Sequence, residues 1–463
     1  MTEDTSSDYR GIAAIWLEAQ EIKVWSKINI KTKKGTFKGV LIPRGEQGDD
    51  KHIVVKLASG YNIGISLDTI IEIKTLGEVQ VDYSIPDKKI KKDPKKPTVV
   101  LIGTGGTVAS KLDYKTGAVI PAFSPQELFN AVPELEKICN LETKQLFQKF
   151  SENIEPADWV ILANEIASYF ESVNPAGVVI AHGTDTLHLT AAALSFMLKN
   201  IDRPIVLVGS QRSSDRPSSD AAINLVNSVN LAANSDIAEV CVCMHGTSGD
   251  AYNLVHRGTR VRKMHSSRRD AFRTIGDVPI AKIENGKITN TGISYHKRSI
   301  RKGNLEVSAE LDENVGLIYS YPGMKVKQIE FFLENNYSGL VIAGSGLGHV
   351  NQKLIKTISR AKEKNIPIFM TTQCLWGFTG MNVYETGRML SEAGVIPLFN
   401  MLPEVALVKA MWVLGHTKEI PFVKELMQKN LAGEITDREP FDGYLIFQGR
   451  VDKRIDKLIQ KEK

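Results

Sequence analysis

Residues 97–110 read PTVVLIGTGGTVAS, and the fold of the chain turns on this stretch. Val99, Val100, Leu101 and Ile102 form an apolar run short enough for a strand buried on both faces. The run breaks into Gly103-Thr104-Gly105-Gly106-Thr107. A strand that ends in a glycine-rich turn presents backbone N–H groups and hydroxyls at a sheet edge, where open α/β sheets bind ligands. Alone, the turn is compatible with a tight bend, a phosphate cradle or a reactive Thr107. It lacks the Gly-Lys-Ser/Thr ending of a P-loop.

The pattern repeats downstream. Residues 176–181 form an apolar strand leading into His182-Gly183-Thr184-Asp185-Thr186, followed by an alanine-rich helix over 187–198. Residues 204–208 lead into Gly209-Ser210-Gln211-Arg212, and residues 238–244 lead into His245-Gly246. Four strands with glycine-containing polar turns at their ends predict a mostly parallel sheet whose C-terminal edge is the working face. Helices are expected over 155–170 and from Ser124-Pro125-Gln126-Glu127, an N-cap and Pro-N1 start. A second α/β unit is expected from Val315, with strands over 315–319, 339–343 and 366–370 and helices over 328–334 and 353–364. Its loop Gly344-Ser345-Gly346-Leu347-Gly348 lacks the spacing of a dinucleotide loop.

Working back towards the N-terminus, residues 86–97 (PDKKIKKDPKKP) hold six lysines and three prolines and read as a solvated linker. Before it, short alternating segments over 28–32, 36–42, 52–57 and 62–67 are punctuated by Gly35, Gly45, Gly48 and Gly60. That pattern predicts a small all-β barrel of SH3 or Tudor type, with a hairpin tip at Lys33-Lys34-Gly35. The expected organisation is therefore a disordered 1–20 with a candidate short helix over 12–17, a barrel over 21–85, a linker over 86–97, an α/β unit over 98–300, a connection over 301–314, a second α/β unit over 315–435 and an unplaced tail over 436–463.

Composition sets the outer bounds. The 463 residues are 42% hydrophobic and 24% charged, with a net charge of +5, ordinary for a multi-domain globular chain. Cys139, Cys241, Cys243 and Cys374 make no CxxC pair and read as buried thiols of a reducing compartment. No apolar run reaches the roughly 18 residues that would span a bilayer, and no targeting segment is evident, so the expected location is the cytoplasm. No Cys/His/carboxylate cluster has metal spacing, so no metal is expected.

The chemistry-bearing candidates are Thr107, the Thr184-Asp185 pair and Lys263, which sits in a basic loop over 256–273 with six arginines. A threonine hydroxyl needs a base that a third group orients. A lysine beside an aspartate suits that task, because a desolvated lysine gives up its proton readily. Glycine-turn N–H groups at Gly106 and Gly183 suit a developing oxyanion. Each motif has a plainer reading by itself: a tight turn, a helix N-cap, a solvated basic face. His182, His188, His245 and His265 read as turn or packing histidines.

Together, TGGTVAS at 104–110, HGTDT at 182–186 and the lysine-bearing stretch at 256–265 resemble the bacterial-type L-asparaginase/glutaminase family in order and spacing. SENIEPADW at 151–159 resembles its substrate-carboxylate loop, and TTQCLWGFTGMNVYETGRML at 371–390 resembles the C-terminal domain of its type I branch. The added barrel and linker, with GSQRSSDRPSSDAAINL at 209–225, make the chain resemble the D-subunit (GatD) family of archaeal glutamyl-tRNA(Gln) amidotransferases. That resemblance implies an asparaginase-like two-domain α/β core and a glutaminase that releases ammonia. It implies Thr107 as nucleophile and Thr184, Asp185 and Lys263 as a second catalytic group. It places Ser151 and Glu152 at the substrate α-carboxylate, although the family commonly has glutamine or aspartate where Glu152 stands. It also implies that Asp185 meets the α-ammonium and that Tyr114 is a lid residue.

The implied partners are a second copy of the chain and a GatE-like subunit in a heterotetramer. That subunit binds Glu-tRNA(Gln) and uses ATP and Mg, while this chain itself needs no cofactor. Two other readings share parts of the sequence: an autonomous cytoplasmic L-asparaginase, and a non-catalytic RNA-binding or scaffold protein using the barrel and lysine linker. The second predicts degenerate catalytic positions, whereas Thr107, Thr184, Asp185 and Lys263 are all present.

Overall fold

The computed structural model describes residues 9–44, 49–57, 62–78, 92–105, 110–112, 119–121, 132, 134–212, 218–298 and 304–440. Thr98–Gly103 is a strand with Val99, Val100, Leu101 and Ile102 fully buried. Each such side chain contributes roughly 1.5–3 kcal/mol on leaving water. It lies in an eight-stranded sheet. From one edge, five parallel strands run Asn140–Gln145, Thr98–Gly103, Gly177–Ala181, Ile205–Val208 and Val240–His245. Asn253–Arg257, Ala281–Glu284 and Lys287–Asn290 then extend it antiparallel.

In chain order the five parallel strands are arranged 2-1-3-4-5. The direction of winding reverses between the first strand, Thr98–Gly103, and the third, Gly177–Ala181. Ligands of such sheets sit beyond the strand C-termini at that switch point. Gly103 pairs with Ala181 there, so residues 104 and 182 leave the sheet side by side.

The second unit is a four-stranded parallel sheet in the order Val315–Tyr319, Gly339–Gly344, Ile368–Thr372, Ile396–Pro397. Helix Pro403–His416 joins the two units, packing on helix Leu187–Met197 of the first and on the strands of the second. Inside this joint Lys409 and Glu434 form a fully buried ion pair at 2.5 Å. Lys409 also donates to the carbonyls of Met427 and Lys429. The desolvation of both charges is offset only because their hydrogen-bonding capacity is used.

The N-terminal part is a five-stranded antiparallel sheet in which Ser26–Thr32, paired with Gly35–Leu41 on one side and Ile70–Glu78 on the other, alternates buried and open positions along its length. Its core holds Ile28, Ile30, Leu41, Ile53, Val55 and Ile65. The short helix read over 12–17 is present and longer, running over Gly11–Ala19, so disorder does not extend through residues 9–20, while residues 1–8 lie outside the described residues. Ala13 and Leu17, four residues apart, bury one face against the sheet, and Tyr9 Oη donates to the Ile42 carbonyl at 2.8 Å.

The end of the lysine linker is also anchored. Lys92 pairs with Glu142, and the Asn140 amide binds the carbonyls of Asp93 and Lys96. The remaining linker residues, 86–91, the helix start at Ser124 and the tail from 441 lie outside the described residues. Of the four thiols, Cys139, Cys241 and Cys243 are buried but Cys374 is exposed, because it falls in the turn after Ile368–Thr372. Among the described residues no helix is long and apolar enough to cross a membrane.

Candidate active site

The turn His182-Gly183-Thr184-Asp185 leaves the switch-point strand and is fixed from below. His182 is buried, with Nδ1 2.7 Å from the Gly183 carbonyl and Nε2 2.9 Å from Thr190 Oγ1. The Gly183 carbonyl can only accept, so His182 Nδ1 carries the ring proton, and in the neutral ring that burial favours Nε2 accepts from Thr190 Oγ1, which itself accepts from the Trp159 indole at 3.0 Å. The imidazole is therefore neutral with its proton on Nδ1, donating to Gly183. Burial pushes its pKa down to about 4, against the opposing hydrogen bond to Gly183. His182 is a support for the turn, as expected of a packing histidine.

Lys263 reaches the turn from across the chain. Its Nζ lies 2.9 Å from Thr184 Oγ1 and 2.7 Å from Asp185 Oδ1. The lysine side chain is only 11% exposed while that of Asp185 is 63% exposed. The stretch 256–273 is not the solvated basic face that its composition suggests. Val261–Lys263 pairs with Phe272–Thr274 as a hairpin, and Phe272 is fully buried. Asp270 clamps Arg268 and Arg273 at 2.8 Å each. At the hairpin's root Arg260 is fully buried and donates to the carbonyls of Asn400 and Glu434 in the second unit. Arg262 meets Glu404 on helix Pro403–His416 at 3.4 Å. The arginines thus hold the hairpin that aims Lys263.

Ser151 lies beneath the same turn and is buried. Its Oγ accepts from the Asp185 N–H at 3.2 Å, and its carbonyl accepts from Thr186 Oγ1 at 2.5 Å. The segment bearing it is tied down on both sides. Lys149 donates its N–H to the Thr104 carbonyl and pairs with Asp158 at 2.8 Å. Asp158 in turn caps helix Pro156–Ser172 through the Glu155 N–H. Glu152 is exposed and makes no hydrogen bond among the described residues.

Thr184, Asp185, Lys263, Ser151 and Gly183 thus come together at one place. Gly106, Thr107 and Tyr114 lie outside the described residues. Reading the sequence alone missed the supports: Thr190 and Trp159 under the turn, Asp270 in the hairpin, and Lys149 with Asp158. Asp158 and Trp159 close the SENIEPADW stretch and Asp270 lies in the basic stretch, but neither pattern assigns them a supporting role, and Lys149 and Thr190 carry no motif. His188, the second residue of helix Leu187–Met197, is also held neutral, its pKa lowered to about 4 by burial and then by Arg262 and Lys263. Among the described residues no group of three or more His, Cys, Asp or Glu side chains is arranged to hold a metal.

Chemically, a hydroxyl within hydrogen-bond reach of an amine, itself held by a carboxylate, is a proton-transfer chain. A neutral Lys263 can take the Thr184 proton, and Asp185 holds the ammonium that results.

Comparison with known proteins gives this geometry a family. The profile "Asparaginase, N-terminal" matches residues 98–294, "Glutaminase/Asparaginase C-terminal domain" matches 314–427, and "GatD N-terminal domain" matches 22–76. The L-asparaginase structure from Thermococcus kodakarensis superposes with a TM-score of 0.65 at 32% identity, covering 73% of this chain and 99% of that one. The D-subunit of glutamyl-tRNA(Gln) amidotransferase from Pyrococcus abyssi is 51% identical over 89% of this chain and 93% of its own length. Its counterpart from Methanobrevibacter smithii is 49% identical over 94% of this chain and 99% of its own. The chain belongs to the D-subunit (GatD) family of glutamyl-tRNA(Gln) amidotransferases, on an asparaginase-type core.

Proposed function

We propose that this chain is the glutamine-hydrolysing subunit of a tRNA-dependent amidotransferase that converts Glu-tRNA(Gln) to Gln-tRNA(Gln). The observation that carries the reading is Lys263, held between Thr184 Oγ1 and Asp185 at the switch point of the sheet. Thr107 and Thr184 supply the two hydroxyls of the reaction. In the first half a threonine oxygen bonds to the side-chain carbonyl carbon of glutamine, and the C–N bond breaks. The hydroxyl proton leaves on the nitrogen, as ammonia, by way of Lys263. Backbone N–H groups of the glycine turns, Gly106 and Gly183, face the oxyanion of the tetrahedral intermediate. Water then cleaves the acyl-threonine and releases glutamate. The open flank of Asp185 suits the substrate α-ammonium, with Ser151 and Glu152 near the α-carboxylate and Tyr114 closing over it.

Ammonia released into water becomes ammonium and loses its nucleophilicity, so a partner must receive it directly. A GatE-like subunit fits: it binds the mischarged tRNA, activates the glutamate with ATP and Mg, and takes up the ammonia. Two copies of this chain complete each other's sites in a cytoplasmic heterotetramer, and the core itself needs no cofactor. The domain over 22–76, which the asparaginase profiles do not cover, supports this reading over a free-standing asparaginase.

The test is to purify the chain alone and with such a partner and to follow hydrolysis of glutamine and of asparagine. The proposal expects glutamine turnover stimulated by partner and Glu-tRNA(Gln). High asparagine turnover by the chain alone would instead make it an L-asparaginase.

A further inference from the structure

A wholly buried polar cluster stands behind the catalytic turn, and the chemistry above makes no use of it. Asp220 is at the N-cap position of helix Ala221–Asn234, yet its carboxylate does not cap that helix. It accepts instead from the backbone N–H groups of Gln211, at 3.0 Å, and Arg212, at 2.9 Å. One helical turn on, Asn224 Nδ2 donates to Asp220 Oδ2 and to the Gly209 carbonyl, both at 3.0 Å. Its Oδ1 accepts from Asn253 Nδ2 at 2.7 Å and from His245 Nδ1 at 2.6 Å. All four hydrogen-bonding positions of the Asn224 amide are filled. Asp220, Asn224, His245 and Asn253 are all fully buried.

Four polar side chains in a core stabilise less than apolar ones of equal volume, so the cluster has to be explained by what it holds. Its contacts converge on one turn: the carbonyl of Gly209 and the N–H groups of Gln211 and Arg212. That turn is packed on Thr184. A methyl group placed on Gly209 would sit 2.7 Å from Thr184 Cγ2 and 3.1 Å from the His182 carbonyl.

We infer that Asn224 and Asp220 are positioning residues for the glutaminase reaction, fixing the 209–212 turn as the wall against which Thr184 is aligned with Lys263. The inference rests on the functional reading above. With the turn pinned at three backbone atoms within four consecutive residues, Thr184 keeps one orientation while the acyl group forms and leaves. A loosened wall leaves substrate affinity intact and lowers the fraction of bound substrate in reactive geometry.

Asn224→Asp tests this in the complex with its partner. The change is nearly isosteric and removes both donors, so Gly209 and Asp220 lose their bonds to residue 224. The folded variant is expected to lose about 10- to 100-fold in kcat for glutamine hydrolysis, with KM within about threefold of wild type. Ammonia-dependent amidation of the tRNA is expected to stay within about twofold, because it bypasses this site. Wild-type kcat in the folded variant, or an equal loss of ammonia-dependent activity, would overturn the inference. Should Asn224→Asp fail to fold, Gly209→Ala replaces it with the same expected split, and unchanged kcat there would overturn it equally. A wild-type complex that hydrolyses no glutamine would remove the functional reading itself, and this inference with it.

Discussion

Gly183→Ala puts the geometry of the site under direct strain. A Cβ on Gly183 lies 2.8 Å from Ser151 Cβ, 2.9 Å from Ser151 Oγ and 3.2 Å from the Ser151 nitrogen. Ser151 has no room to retreat, being 4% exposed and tied by its Oγ to Asp185 and by its carbonyl to Thr186. Overpacking of this kind costs about 1–3 kcal/mol. In a unit of about 200 residues that lowers the apparent Tm by roughly 2–4 °C per kcal/mol. The displaced Ser151 releases the Asp185 N–H, and Asp185 carries Lys263, so glutamine turnover should fall by about 10- to 100-fold. The assay pairs thermal unfolding with steady-state glutaminase kinetics. Adding Ser151→Gly removes the colliding atoms and should return most of the lost Tm, but not the turnover, since the Oγ acceptor is gone. Wild-type stability and turnover in Gly183→Ala would show that Ser151 does not hold the turn.

Other expectations follow from the same contacts. Lys263→Arg places a permanent cation beside Asp185 that cannot take a proton, so glutamine hydrolysis should drop by about 10²- to 10⁴-fold, as for Lys263→Met; turnover near wild type would mean that a fixed positive charge suffices there. Acid should destabilise the fold through histidines held neutral by burial: His182 and His188 are lowered to about 4 and His256 to about 3, from 6.5. Below pH 6.5 the unfolded chain binds protons that the folded one refuses, so this contribution is complete above about pH 6.5 and lost as pH falls towards 4, or towards 3 for His256, by at most about 3–5 kcal/mol per histidine. Urea unfolding from pH 7.5 to 4.5 checks it, and a flat profile over that window would contradict it. Lys409→Met leaves the buried Glu434 carboxylate with only the Leu431 and Ala432 N–H groups and should cost about 3–5 kcal/mol, read as a lower urea midpoint; an unchanged midpoint would show that the ion pair does not hold the joint.

The parallel sheet was legible because Val99 to Ile102 and the runs before His182, Gly209 and His245 are buried on both faces and so read as unbroken apolar strings. The catalytic candidates were legible because Thr184 and Asp185 sit next to a glycine at a strand end. That Lys263 would meet them was not derivable from spacing, since 79 residues separate it from Thr184 and only the resemblance to a family joined them. Composition misled where charge is internal. The arginines around Lys263 look solvated as a string, but Arg260 is buried and spans to the second unit. At the N-terminus the apolar patch over 12–17 pointed to a short helix, but Ala13 and Leu17 alone do not give its full length until the sheet they cover is in place. The cluster of Asp220, Asn224, His245 and Asn253 is assembled from a helix and two neighbouring strands, and no one-dimensional pattern brings those together.

The central claim is that a two-threonine amidase site supplies ammonia to chemistry done elsewhere. Thr107→Ala in the complex with the tRNA-binding partner tests it most directly, by measuring Gln-tRNA(Gln) formation with glutamine and, separately, with ammonium chloride as nitrogen donor. The account predicts that glutamine-dependent amidation disappears while ammonia-dependent amidation stays at the wild-type rate. Equal loss of both, or retention of both, would contradict it.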